Sequence, residues 1–188
     1  MREYVVTCCS TADMSRTFME TNEVPFAMFH YQLDGKEYAD DLYSSISPEV
    51  FYKMIGDGAQ PVTSQVNAEA YCALFEPVLK SGKDVLHLTL SSGISGSINS
   101  ANVAKTQMEE KYPDRRVMVV DSLAASSGYG MLVEQTLENQ RAGMSLEENA
   151  AWIVAHRNTL HHWFFSTDLT SYIPVSYTHL TLPTKLEV

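Results

Sequence analysis

The chain is poor in cysteine, poor in basic residues and without any long apolar run, and each shortage excludes a class of function. Only Cys8, Cys9 and Cys72 occur in 188 residues. Two of them are adjacent and badly placed to bridge each other, and none falls in a zinc-ligand spacing, so all three read as free thiols. Thirteen Lys and Arg against 23 Asp and Glu give a net charge of −10, the opposite of the basic footprint that nucleic acid requires. The best apolar runs, Val117–Val120 and Trp152–Ala155, fall far short of the ~20 residues of a spanning helix. Met1-Arg2-Glu3-Tyr4-Val5-Val6 passes at once into polar residues rather than into a secretory leader, so a cytoplasmic setting is expected. No H-E-x-x-H spacing groups His30, His87, His156, His161, His162 and His179. They read as surface or satisfied core histidines, and no metal site is expected.

What is present is globular composition, with 45% hydrophobic and 19% charged residues, enough for a sizeable core. Length alone suggests one main domain and a fragment. Tyr4–Val6 is a short β-branched run entering Cys8-Cys9-Ser10-Thr11-Ala12-Asp13, as a buried first strand enters its loop. Asp34-Gly35 lies between the extended stretches Tyr31–Leu33 and Lys36–Tyr38, a hairpin signal. Ser47-Pro48-Glu49 opens a helix to about Gly56 with Val50, Phe51, Met54 and Ile55 on one face, and another starts near Asn67. Asp84–Leu90, Val117–Val120 and Trp163–Ser166 read as strands. Helices are expected over 98–108 and 123–140, and from the Ser145-Leu146-Glu147-Glu148 capping box to about Arg157. Strands alternating with such helices predict an α/β fold with a mostly parallel sheet flanked by helices, whose ligands sit outside the carboxyl ends of the strands.

Two hydroxyl-rich loops belong to that end, Pro61-Val62-Thr63-Ser64-Gln65 and Ser91-Ser92-Gly93-Ile94-Ser95-Gly96-Ser97. The second joins a strand to a helix, where backbone N–H groups and the macrodipole favour a carboxylate or phosphate. The same residues also suit a tight turn and an N-cap, and spacing does not choose between the two. A nucleotide loop is disfavoured, because neither G-x-G-x-x-G nor a P-loop lysine is present. A small serine-dependent hydrolase or phosphotransferase using Ser92 or Ser95 is the alternative from another class, although Gly93-Ile94-Ser95-Gly96 misses the nucleophile-elbow spacing by one residue. Asp13 and Asp40-Asp41 could meet a cation, but such acids are more often turn formers or caps. The nine methionines and 10% aromatic content suit a core and equally the wall of an apolar ligand tunnel.

The order of these segments is more specific than any one of them. Ser10-Thr11-Ala12-Asp13, then Pro25, Asp34-Gly35-Lys36-Glu37-Tyr38, Thr63-Ser64-Gln65, Leu90–Ser97, and Val119-Val120-Asp121-Ser122 with Ala125-Ser126-Ser127-Gly128 together resemble the DegV family over roughly residues 3–170. These are bacterial fatty-acid-binding proteins that partner fatty acid kinase. The resemblance implies a non-catalytic carrier that encloses a long-chain fatty acid, of palmitic to stearic length, and presents it to the kinase, with transient contact at a membrane surface. It also implies that Thr63 and Ser95 contact the carboxylate, with Ser64 and Ser92 as close seconds. Each charge-assisted bond contributes ~1.5–3 kcal/mol while acyl burial adds ~0.8 kcal/mol per CH₂, so the hydroxyls orient and the tunnel binds.

The chain departs from the family pattern in two places. The acid that usually follows the first strand is replaced around Cys8-Cys9. From about Ser171, the sequence through Ser176-Tyr177-Thr178-His179-Leu180 to Val188 is not family-like. The expectation is therefore an N-terminal DegV-like α/β domain and the start of a second over residues 1–170, that second domain being largely missing, and an unrelated tail over 171–188.

Overall fold

The computed structural model describes residues 2–163. Its first strand, β1 (Tyr4–Cys9), is buried almost throughout. It runs through Cys8 and Cys9, which the pattern had assigned to the loop, because both side chains lie fully in the core. The chain turns only at Ser10–Ala12, a single 3₁₀ turn closed by Asp13 in the left-handed region at φ 53°. Helix α1 (Arg16–Thr21), capped by Ser15, then leads to β2 (Phe26–Ala27).

Strands β3 (His30–Leu33) and β4 (Lys36–Ala39) form the expected hairpin. Asp34 and Gly35 both have positive φ, 51° and 77°, the primed turn that matches strand twist. Helix α2 (Pro48–Gly56) starts as read, with Ser47 accepting from the Val50 N–H, but its apolar face buries no residue and Val50 stays half exposed. A third strand, β5 (Val62–Ser64), occupies part of what read as a loop, and it pairs antiparallel to β3. The hairpin is thereby a three-stranded sheet of order β4-β3-β5.

Asn67 caps α3 (Ala68–Lys80), which carries Pro77 inside and continues to its last residue. Strand β6 (Asp84–Thr89), helix α4 (Ser97–Lys111) and strand β7 (Val117–Asp121) follow the predicted pattern. Helix α5 (Ser126–Arg141) starts three residues later than its periodicity suggests. Leu123 adopts φ 50°, and the Asp121 and Ser122 side chains bond the main chain of residues 123 and 124, a local alternative that defers the helix. Helix α6 (Leu146–His156) opens with both halves of the Ser145–Glu148 capping box in place. The strand expected at Trp163–Ser166 falls mostly outside the described residues, as does the expected boundary near residue 170.

The main sheet is wholly parallel, with order β2-β1-β6-β7. Helices flank it, α3 packed on α4 and α5 on α6. Val6, Val85, Leu86 and Leu88 from the strands meet Tyr71, Phe75, Tyr129, Val133 and Ile153 from the helices in one core. α5 docks on the turn after β1 so closely that a Cβ at Gly130 would stand 2.6 Å from the Ala12 carbonyl oxygen. Replacing a helical glycine by alanine ordinarily stabilises by about 1 kcal/mol. Here the contact is with main chain, so Gly130→Ala is expected to lower stability, read as a reduced urea midpoint.

Candidate functional site

The strand order reverses at β1, since the chain goes from β1 to β2 on one side while β6 and β7 extend the other. A crevice at the carboxyl ends of β1 and β6 is where such sheets take ligands. These two strands pair in register through Thr7 and His87 and then part. Tyr129 stands in the gap, its hydroxyl accepting from the Cys9 N–H at 2.9 Å and donating to the Leu88 carbonyl. Beside it His87 is fully buried, with Nδ1 2.9 Å from Thr7 Oγ1 and Nε2 3.8 Å from Cys9 Sγ. The Tyr71 and Phe75 rings meet it edge-on at 5.1 and 5.2 Å.

Burial alone pushes the His87 imidazole down to about 3, and burial pushes the Cys9 thiol up. Neither group ionises near neutrality, so this cysteine–histidine pair makes no thiolate nucleophile. It is the polar floor beneath the crevice, and of the two readings open to the histidines, surface or satisfied core, His87 takes the second.

Above that floor lies the Ser91–Gly96 loop. Ile94 N and Ser95 N both donate to the Ser91 carbonyl at 3.0 Å, and Gly93 N donates to Ser91 Oγ at 3.2 Å. Ser95 Oγ accepts from the Ser97 N–H at 3.2 Å, which leaves its own proton free to give to an anion. Ser92 is exposed, and its N–H donates to Asp121 Oδ1 at 3.1 Å. Among the described residues, neither the Ser92 nor the Ser95 hydroxyl has a histidine or carboxylate hydrogen-bond partner. A serine nucleophile would need one.

Thr63 and Ser64 are exposed on β5, not in a loop at the start of α3. Thr63 lies opposite Tyr31, and Ser64 Oγ donates to the His30 carbonyl at 3.4 Å. Gln65 Oε1 lies where a Cβ on Gly96 would be 2.8 Å away. The two hydroxyl segments, far apart in sequence, therefore touch through Gln65 and Gly96.

Thr63 also borders a cavity of about 260 Å³ between the small sheet, α2 and the turn after β1, walled by Phe29, Tyr31, Ile46, Phe51 and Pro61. Tyr31 stacks on Tyr38 at 5.5 Å and meets Phe51 edge-on at 5.3 Å. The aromatic residues that composition could assign to core or tunnel are thus divided, with Tyr71, Phe75 and Tyr129 in the core and Phe29, Tyr31, Tyr43 and Phe51 at the cavity. Thr11, Asp13, Asp40 and Asp41 also border it. Asp41 caps its own turn through Ser44 and Ser45, and Asp13 closes the turn after β1. Burial pushes the Asp40 carboxyl up, and the nearby Asp13 charge adds to the rise against a Ser10 hydrogen bond. No group of three or more His, Cys, Asp or Glu among the described residues is arranged to hold a metal, and no described helix is long and apolar enough to cross a membrane.

The DegV family model matches residues 5–172. A DegV domain-containing protein of Clostridium perfringens is 33% identical over 164 residues, 87% of this chain and 56% of that protein. One from Streptococcus pyogenes is 31% identical over 160 residues, 85% of this chain and 56% of that protein. The chain thus spans little more than half the length of the curated relatives it matches. Among solved structures, a fatty-acid-binding DegV family protein from Thermus thermophilus superposes with a TM-score of 0.73 at 31% identity, over 84% of this chain and 54% of that one. A stearic acid-binding protein from Eubacterium ventriosum also gives 0.73, at 28% identity over 81% of this chain and 52% of that one.

The buried imidazole has a measurable consequence. The unfolded chain takes up a proton near pH 6.5 that the folded chain refuses until about 3, so stability is full above pH 6.5 and is lost as pH falls through that window. The loss from this one group is expected to reach a few kcal/mol. Chemical unfolding at stepped pH, compared with His87→Gln, should show a shallower acid dependence in the variant.

Proposed function

Because the chain belongs to the DegV family, we propose that it supplies the hydroxyl-bearing part of a long-chain fatty acid carrier, a binding protein and not an enzyme. The observation that carries this reading is the apolar cavity bordered by Thr63 and joined through Gln65 and Gly96 to the Ser91–Gly96 loop. The carboxylate is held by Thr63 and Ser95, with Ser64 and Ser92 close by, and the acyl chain lies against Tyr31 and Phe51. Charge arrangement gives the ligand a direction. Asp40 follows β4 while Thr63 lies on β5, two strand spacings or about 10 Å apart. An anionic head is repelled from the acidic side and accepted at the hydroxyl side.

A cavity of 260 Å³ is below the ~300–1,000 Å³ typical of sites that enclose a small molecule. The described residues therefore wall only part of a long acyl chain. On this reading the remaining walls are supplied by chain that the relatives have beyond the part matched here, and the family resemblance supports presentation of the bound acid to a fatty acid kinase. A cytoplasmic setting with transient membrane-surface contact fits that role. Among the described residues, no arrangement around Ser92 or Ser95 favours the hydrolase or phosphotransferase alternative.

Organic extracts of the purified chain, analysed by mass spectrometry, should contain a long-chain fatty acid in stoichiometric amount. The paired variant Thr63→Ala with Ser95→Ala should weaken fatty acid binding by tenfold or more in titration, at ~1.5–3 kcal/mol for each charge-assisted bond, with the melting temperature little changed. Unchanged affinity would remove these hydroxyls from the site.

A further inference from the structure

We propose that Arg157 supplies the positive charge that holds the anionic head group beside the Ser91–Ser95 loop, an assignment that rests on the carrier reading above. α5 runs back from the carboxyl end of the sheet and α6 returns to it, which brings Arg157, the residue after α6, up beside the end of β7. Arg157 Nη1 donates to the main-chain oxygen of Asp121 at 2.6 Å. The side chain of the same aspartate accepts the Ser92 N–H at 3.1 Å. One residue thus fastens both the guanidinium and the serine loop, and places them side by side.

The arginine is poorly matched with protein partners. Arg16, the other arginine at this end, is engaged by Glu20 and by the Asp41 carbonyl. Arg157 has no carboxylate within ion-pair distance among the described residues. Its Nε is shut off from solvent and has no hydrogen-bond partner there. A half-buried guanidinium without a counter-ion among the described residues, in a chain of net charge −10, is an arrangement that an anion completes. The serine and threonine hydroxyls are neutral donors, so Arg157 adds the charge they lack. Its bond to Asp121 also ties α6 to β7, and the test must separate that tie from contact with ligand.

The separating experiment titrates the full chain and Arg157→Gln with two ligands of equal length, palmitate and the uncharged hexadecanol. Loss of a head-group contact lowers palmitate affinity by roughly tenfold or more, leaves hexadecanol affinity unchanged, and flattens the salt dependence of palmitate binding. Arg157→Lys, which keeps the charge without the planar fork, should recover part of the palmitate affinity. Should Arg157→Gln fail to fold, the lysine variant is read with the same pair, where a palmitate-only loss supports the assignment. Equal loss of both ligands, or no loss of palmitate, overturns it. A wild-type chain that binds neither ligand overturns the carrier reading itself, and this assignment with it.

Discussion

Two parallel strands that separate leave a main-chain donor and acceptor facing each other across a gap too wide to bond, and here the Tyr129 hydroxyl closes that gap. It takes the Cys9 N–H on β1 and gives to the Leu88 carbonyl on β6. An unsatisfied buried group costs about 1–3 kcal/mol, so the divergence that opens a crevice is stable only with such a bridge. Because Tyr129 belongs to α5, the bridge also fixes the first turn of that helix and the loop that enters it from β7. Asp121, which anchors Ser92, sits at the start of that loop. The carboxyl end of the sheet is thus held open from within.

Much of this was legible because it is local. The Asp34-Gly35 turn, the Ser47-Pro48 start and the Ser145–Glu148 capping box each depend on residues a few positions apart, and each appears where the sequence places it. β5 was not legible, since three residues without alternation show nothing until β3 is beside them. Thr63 and Ser64 were recognised as site candidates through family order, but their place on a strand edge follows from that non-local pairing. The late start of α5 escaped because periodicity does not register a left-handed leucine. Arg157 carries no distinguishing signal either, as a basic residue at a helix C-terminus is ordinarily accounted for by the macrodipole.

The site has a polarity that no single residue would reveal. Asp40 follows β4, Thr63 lies on β5, and Tyr31 of the strand between them belongs to the aromatic wall of the cavity. In such an arrangement the apolar surface sets how strongly a chain-like molecule is held, while the charged and hydroxylated margins set which way round it sits. The cysteine and histidine below contribute nothing ionic at neutral pH, which keeps the floor of the crevice electrically quiet.

The small sheet has two unlike margins. β4 presents Lys36 and Glu37, with the lysine ammonium 4.8 Å from the centre of the Tyr38 ring, and charges of this kind discourage further strand pairing. β5 is Val62-Thr63-Ser64, without a charge and with no strand on its outer side among the described residues. The sheet is therefore a one-sided template, able to grow past β5 and guarded past β4. A strand recruited there would lie along the same three residues that present Thr63. On the proposed carrier reading, a strand paired to β5 and a head group held by Thr63 would exclude one another.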